Sequence, residues 1–171
     1  TRHDSHASYV IKSLQSNKNV FVEKPLCLTK SELKEISIAQ KKSGKAVMVG
    51  YNRRFSPLTF KIKENISDGP MAMIYRINAG SIPRESWIQD LEIGGGRIIG
   101  EVCHFIDYLT YINGSLPRSL CAIALQNPGA LNDTVNIVLN FENGSTGVVS
   151  YYANGAKELP KEYIEIHRAG M

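Results

Sequence analysis

The apolar positions of the first fifty residues switch between two periods. Ala7, Val10, Ile11 and Leu14 recur at i, i+3, i+4 and i+7, one face of a helix, and Asn17 is a suitable stop. Val20-Phe21-Val22 is a short unbroken apolar run, the pattern of a strand covered on both faces. Pro25 pushes Lys24 toward extended backbone and keeps the run from continuing as helix. Thr29-x-x-Glu32 forms a capping box ahead of Leu33, Ile36 and Ala39, the apolar face of a second helix that Gly44 closes. Ala46-Val47-Met48-Val49 predicts the next buried strand. Residues 5–50 therefore read helix–strand–helix–strand, the back half of a doubly wound parallel sheet.

Beyond residue 56 the rhythm changes. The pattern predicts a helix over residues 58–67, a strand over 71–79 and a flexible glycine turn at 94–96. A helix follows over 98–113. Strands are expected near 119–126, 134–141, 145–152 and 162–167. Asn143-Gly144 between two of them is a strong hairpin signal. Consecutive strands joined by short turns imply an antiparallel sheet. The expected fold is an α/β remnant of a Rossmann-type parallel sheet, residues 1–55, followed by an α+β domain with a mostly antiparallel open sheet, residues 56–171. No internal repeat or low-complexity stretch interrupts either part.

Composition narrows the function classes. The chain has 171 residues, 43% apolar and 21% charged, which suits a folded protein with a sizeable core. No apolar run approaches the roughly 20 residues of a membrane span. A net charge of +4, with Lys and Arg scattered, argues against nucleic acid and suits an anionic small molecule such as a nucleotide. The three cysteines, Cys27, Cys103 and Cys121, fit neither a disulfide framework nor a zinc ribbon and point to a reducing cytoplasm.

Several residues can carry chemistry. Lys24 follows a strand that ends at the carboxyl edge of the parallel sheet, where ligands of open α/β sheets bind. There it can hold a substrate oxygen by a charge-assisted hydrogen bond, with Glu23 beside it able to pair with the lysine or bind a ribose hydroxyl. The alternative is an ordinary exposed Glu-Lys pair before a turn. On the helix near residue 104, Val102, Phe105, Ile106, Leu109 and Ile112 make an apolar stripe. His104, Asp107, Tyr108 and Tyr111 lie on the other side. A histidine there is a candidate general acid or base, with Asp107 at i+3 in reach of a ring nitrogen, or else a surface histidine on a solvated face. Tyr51-Asn52-Arg53-Arg54-Phe55 follows the second strand, and its arginines can meet phosphate or carboxylate, or form a solvated basic loop. His3-x-x-His6 lacks further ligands at metal spacing, so no metal site is expected. The glycines at 94–96 do not follow the G-x-G-x-x-G phosphate pattern. Cys103 is expected to fill space, since adjacent helical residues point about 100° apart and cannot readily share a proton.

Together these motifs carry a resemblance. Thr1…His6, Glu23-Lys24-Pro25, Val49-Gly50-Tyr51-Asn52-Arg53-Arg54-Phe55-Ser56-Pro57 and Gly94-Gly95-Gly96…His104-x-x-Asp107 occur in the order and spacing of the glucose–fructose oxidoreductase/inositol dehydrogenase/MocA family of NAD(P)-dependent oxidoreductases. The resemblance implies a hydride transfer between NAD or NADP and a CH–OH or ketone of a sugar, nucleotide sugar or cyclitol. It implies that Thr1, His6, Glu23, Lys24 and Pro25 face the nicotinamide and its ribose. It makes Lys24 the substrate-orienting lysine and His104 the catalytic acid/base, two halves of one site, with Tyr51, Asn52, Arg54 and Asp107 bordering the substrate. The antiparallel sheet is then the substrate and homo-oligomerisation domain. Two positions depart from the family pattern: Gly100 stands where an aspartate is frequent, one turn before His104, and Arg2-His3 replaces the usual Pro-Asn. The family's glycine fingerprint is expected upstream of Thr1 and further strands beyond the C-terminus, so the chain reads as an enzyme fragment, inactive in isolation. The run Arg97-Ile98-Ile99-Gly100-Glu101-Val102-Cys103-His104 is similar to members fused behind an alcohol dehydrogenase-like domain. The alternative reading is a non-catalytic assembly or binding module on the same fold.

Overall fold

A computed structural model describes residues 1–66, 69–126 and 131–169. The chain divides into two compact units, one of Thr1–Tyr51 with Arg84–Cys103, the other of Asn52–Pro83 with His104–Met171. The segment from Arg84 thus returns to the first unit before the chain re-enters the second.

In the first unit, α1 (His6–Gln15), β1 (Val20–Val22), α2 (Lys30–Ser43) and β2 (Val47–Val49) follow in the expected order. Asn17 adopts a positive φ of 58° just past α1, a conformation that Asn tolerates better than most residues. The Thr29 side chain accepts from the Glu32 N–H, the Glu32 carboxylate accepts from the Thr29 N–H, and Gly44 ends α2 in the left-handed region. β1 and β2 pair in parallel, Val20 with Val47 and Val22 with Val49. Their alternate residues face a core of Ala7, Val10, Leu14, Val22 and Ile36. The expectation that both strands are covered on both faces does not hold. Phe21 and Met48, pointing the other way, are 66% and 47% exposed. A three-residue apolar run carries no period, so it cannot reveal which of its faces is packed. Leu33 is likewise exposed, leaving Ile36 as the buried anchor of α2.

The second unit holds α3 (Pro57–Asn65) and five strands: β3 (Ala72–Asn78), β4 (Pro117–Ala124), β5 (Val135–Phe141), β6 (Thr146–Tyr152) and β7 (Glu162–His167). Residue 67, the expected end of α3, lies outside the described residues. The sheet order is β4-β5-β6-β3-β7. All neighbours are antiparallel except β3 and β6, which run parallel. Burial alternates strictly along β5, with Val135, Ile137, Leu139 and Phe141 inward. The Asn143-Gly144 hairpin joins β5 to β6, with Gly144 at a φ of 85°.

A π-helical turn over Ile98–Val102 runs directly into α4 (Cys103–Asn113). Within the second unit α4 lies on the sheet, where Phe105 meets Tyr75 edge-on with ring centroids 5.1 Å apart. A Cβ at Gly147 of β6 would come within 3.0 Å of Leu109, so the close approach of helix and strand favours glycine there. The expected polar side of α4 is in fact mostly covered: His104 and Tyr108 are buried along with Val102, Phe105, Leu109 and Ile112. A helix seated deep in a sheet buries more than one stripe, which its amphipathic pattern understates.

Candidate active site

The first unit gathers a group of polar side chains around the carboxyl end of β1. Glu23, Lys24 and Pro25 follow the strand directly, and the Lys24–Pro25 peptide is cis. The Lys24 ammonium donates to the Gly100 carbonyl at 2.7 Å. An ammonium has three donors, so two remain. Among the described residues no carboxylate lies within ion-pairing distance of it. Glu23 does not pair with the lysine; its carboxylate lies against Gly50 at the end of β2, where an added Cβ would be 3.1 Å from either oxygen.

Buried His6, at the start of α1, donates from Nδ1 to the Pro25 carbonyl at 2.8 Å, since a carbonyl oxygen can only accept. His6, Thr1 and Glu23 line one cavity of about 310 Å3, together with Tyr9, Ser13 and β1. Three of the five residues singled out for the cofactor wall therefore share a concave surface, and Pro25 holds one of them in place.

His3, two residues after Thr1, is buried and donates from Nδ1 to the Gly94 carbonyl at 2.8 Å. Its ring meets Trp87 edge-on at 4.8 Å and tilts against His6 at 5.6 Å. The glycine turn at 94–96 is a bonded structure: the N–H groups of Gly94 and Gly95 donate to the Asp90 carbonyl, and that of Gly96 to Ile88. Gly94 has no room for a Cβ, which would overlap the Trp87 carbonyl and Ile88. Within the π-helical turn, Glu101 pairs with buried Arg97 at 3.1 Å.

The second unit orders the other candidates. Asn52, Arg53 and Arg54 form a 3-10 turn, Asn52–Phe55. Arg54 clasps the Asp107 carboxylate with its Nε at 2.8 Å from Oδ2 and its Nη2 on Oδ1, and its guanidinium lies over Tyr111. Asp107, placed by sequence within reach of His104, thus turns both oxygens to Arg54. Neither arginine sits in a solvated basic loop. Arg53 binds Glu162 of β7 through Nε at 3.1 Å and Nη2 at 2.5 Å, and stacks over Phe105. The Tyr75 hydroxyl donates to the same carboxylate at 2.5 Å. Burial works to raise the Glu162 carboxyl, but the bonds from Arg53 and Tyr75 outweigh it and hold it below its ordinary value. Burial and the adjacent carboxylate push the Tyr75 hydroxyl well up. Tyr108, on α4 one turn beyond His104, shares a hydrogen bond with Thr59 of α3. Cys103 is half-buried and not in a disulfide.

Sequence reasoning missed the Glu162–Tyr75 partnership, because 87 residues separate the two. It met His3 only as half of a metal spacing and as a departure from a motif. The signal that could have found it is the co-occurrence of two departures, His3 and Gly100, which turn out to touch.

Two family profiles cover most of the chain. "Oxidoreductase family, NAD-binding Rossmann fold" matches residues 1–51, and "GFO/IDH/MocA C-terminal domain" matches residues 70–167. The chain belongs to the Gfo/Idh/MocA oxidoreductase family. Among its relatives, the uncharacterized oxidoreductase YrbE of Bacillus subtilis is 32% identical over 151 residues, covering 84% of this chain and 44% of the relative. The myo-inositol 2-dehydrogenase of Thermotoga maritima is 27% identical over 154 residues, 85% of this chain and 46% of the enzyme. The crystal structure of an oxidoreductase domain protein from Kribbella flavida superposes with a TM-score of 0.85 at 22% identity, over 99% of this chain and 51% of that one. The chain thus spans about half or less of the length of these Gfo/Idh/MocA relatives. The motifs quoted from its sequence lie within or between the two matched stretches.

Proposed function

We propose that the protein acts as an NAD(P)-dependent oxidoreductase on a CH–OH carbon of a sugar or cyclitol. One observation carries the reading: Thr1, His6 and Glu23, drawn from two motifs, line one cavity beside β1 in a chain of this family. The residues present fit the nicotinamide end of the cofactor. A cavity of about 310 Å3 is at the lower end of small-molecule sites, suited to a nicotinamide riboside portion rather than a whole dinucleotide. Glu23 and Thr1 offer oxygen acceptors for ribose hydroxyls, and the apolar flank of β1 suits an aromatic ring.

When bound, nicotinamide supplies the site where a hydride is taken up or released. The protein's part is orientation and proton management. Lys24 donates to the reacting oxygen of the substrate with a donor not used by Gly100, which stabilises charge as the hydroxyl loses its proton. His104 takes that proton in the oxidation and returns it in the reduction. Asn52, Tyr51 and the Arg54–Asp107 pair border the substrate, and the pair's fixed carboxylate presents a rigid polar edge. In this reading residues 1–55 serve the cofactor. Residues 56–171 serve substrate and self-association, the latter supported by apolar residues exposed on the outer sheet face, among them Ile74, Ile123 and Val138. Three cysteines outside any disulfide accord with a reducing cytoplasm, and among the described residues no helix is long and apolar enough to cross a membrane.

The test is a screen of the protein, expressed from its complete reading frame, against inositols, hexoses and nucleotide sugars with NAD and NADP. Growth or loss of reduced-nicotinamide absorbance with one of them is expected. Cofactor binding without turnover of any substrate supports the non-catalytic module instead.

A further inference from the structure

Three interactions in the first unit meet at Gly100. Its carbonyl accepts from the Lys24 ammonium at 2.7 Å. Its Cα faces the His3 ring: a Cβ built there would lie 3.1 Å from Cε1 and 3.4 Å from Nδ1, tighter than ordinary contact. The same His3 ring is tied by Nδ1 to the Gly94 carbonyl, which itself lies 3.6 Å from that Cβ position. Trp87 closes the ring from its edge. Thus the volume that a side chain at residue 100 would claim is occupied by an imidazole that reaches it from the other end of the sequence.

We propose that His3 is a positioning residue for Lys24: it fills the space over Gly100 and braces the turn between Gly94 and Gly100, so that a bare backbone carbonyl faces the lysine. This rests on the reading of Lys24 as the substrate-orienting cation, and deepens it. With residue 100 side-chain-free, no carboxylate from that position neutralises the ammonium, and its charge stays available to a substrate oxygen. A neutral His3 keeps a second cation away from Lys24. Burial lowers the proton affinity of His3, and the charge of Lys24 and the neighbouring His6 lower it further. The Gly94 bond and Asp4 act the other way without reversing the shift. These are the charged groups that face the ring. A protonated His3 would set a second cation near Lys24, and the repulsion would weaken the lysine's hold on the Gly100 carbonyl.

The experiment follows the Lys24 ammonium in the full 171-residue chain by 15N-lysine NMR, where a hydrogen-bonded ammonium exchanges its protons slowly and gives a resolved signal. The signal is assigned by its loss in Lys24→Met. In the wild type its 15Nζ shift, read against the other lysines, is expected to move to the free-lysine position on acidification in step with the titration of the His3 Cε1 proton. In His3→Asn, which keeps an N–H for Gly94 and does not titrate, the shift should hold to lower pH. In His3→Phe, which keeps a ring but loses that donor, it should lie nearer the free-lysine position already at neutral pH. Should His3→Phe fail to fold, His3→Asn alone decides. A Lys24 signal with the same pH dependence in wild type and His3→Asn overturns the proposal, since a merely space-filling His3 would leave it unmoved. Because no turnover is read, failure here and failure of the oxidoreductase reading are separate outcomes.

Discussion

Replacing Glu162 with Gln removes the charge at the centre of a three-residue network while conserving its volume. The carboxylate accepts three hydrogen bonds, two from Arg53 and one from Tyr75. A hydrogen bond to a charged group is worth about 1.5–3 kcal/mol when well buried. Here the Arg53 and Glu162 side chains remain 24% and 32% exposed, so solvent screening reduces the net value, and Gln retains part of the bonding. An expected loss of about 1–2 kcal/mol follows. At this chain length each kcal/mol moves the melting temperature by about 2–4 °C. The pH dependence gives a second reading. Glu162 is held below its ordinary value of 4.5, so its contribution is complete above that value and is lost as pH falls through the lower folded-state value. Thermal melts followed by circular dichroism at neutral pH and through the acid range should show Glu162→Gln starting lower. The gap should then narrow as the wild-type carboxylate protonates. Identical midpoints at neutral pH, or a gap that widens in acid, would refute the reasoning.

Two further substitutions probe the scaffold. Thr29→Ala removes the acceptor for the Glu32 N–H and half of a reciprocal cap, and should cost about 1 kcal/mol, read as faster amide exchange in the first turn of α2 and a lower urea midpoint. Leu139→Ala empties a position on β5 with no solvent exposure and should cost about 2–5 kcal/mol, read from urea unfolding with an unchanged slope.

What the sequence disclosed, and what it concealed, divides along a physical line. Local signals were legible. The Thr29–Glu32 box, Gly44, Asn17 and the Asn143-Gly144 turn each satisfy a backbone requirement within a few residues, and each appears where its chemistry demands. Strand alternation in β5 named its own inward face. Readings that depend on distant partners were less legible. The exposure of Phe21 is set by what lies against the outer face of β1, which three apolar letters do not encode. The fates of Arg53 and Arg54 are set by Glu162 and Asp107, contacts across long sequence separations. The parallel pairing of β3 with β6 joins strands whose first residues are 74 positions apart, so turn chemistry gives no hint of it. In the candidate site, motif order named Thr1, His6 and Glu23, which share a cavity. The packing of His3 needed coordinates, because its ring lies over Gly100, far along the chain.

The central claim is that Lys24 and His104 serve one reacting substrate. A double-mutant cycle in kcat/KM for hydride transfer, using Lys24→Met, His104→Asn and the pair, tests it most directly in protein expressed from the complete reading frame. The account predicts that His104→Asn alone lowers turnover by about 100-fold or more with an unchanged melting curve. The pair should then lose little beyond the worse single variant, as groups acting as one unit do. Wild-type turnover in folded His104→Asn would contradict it.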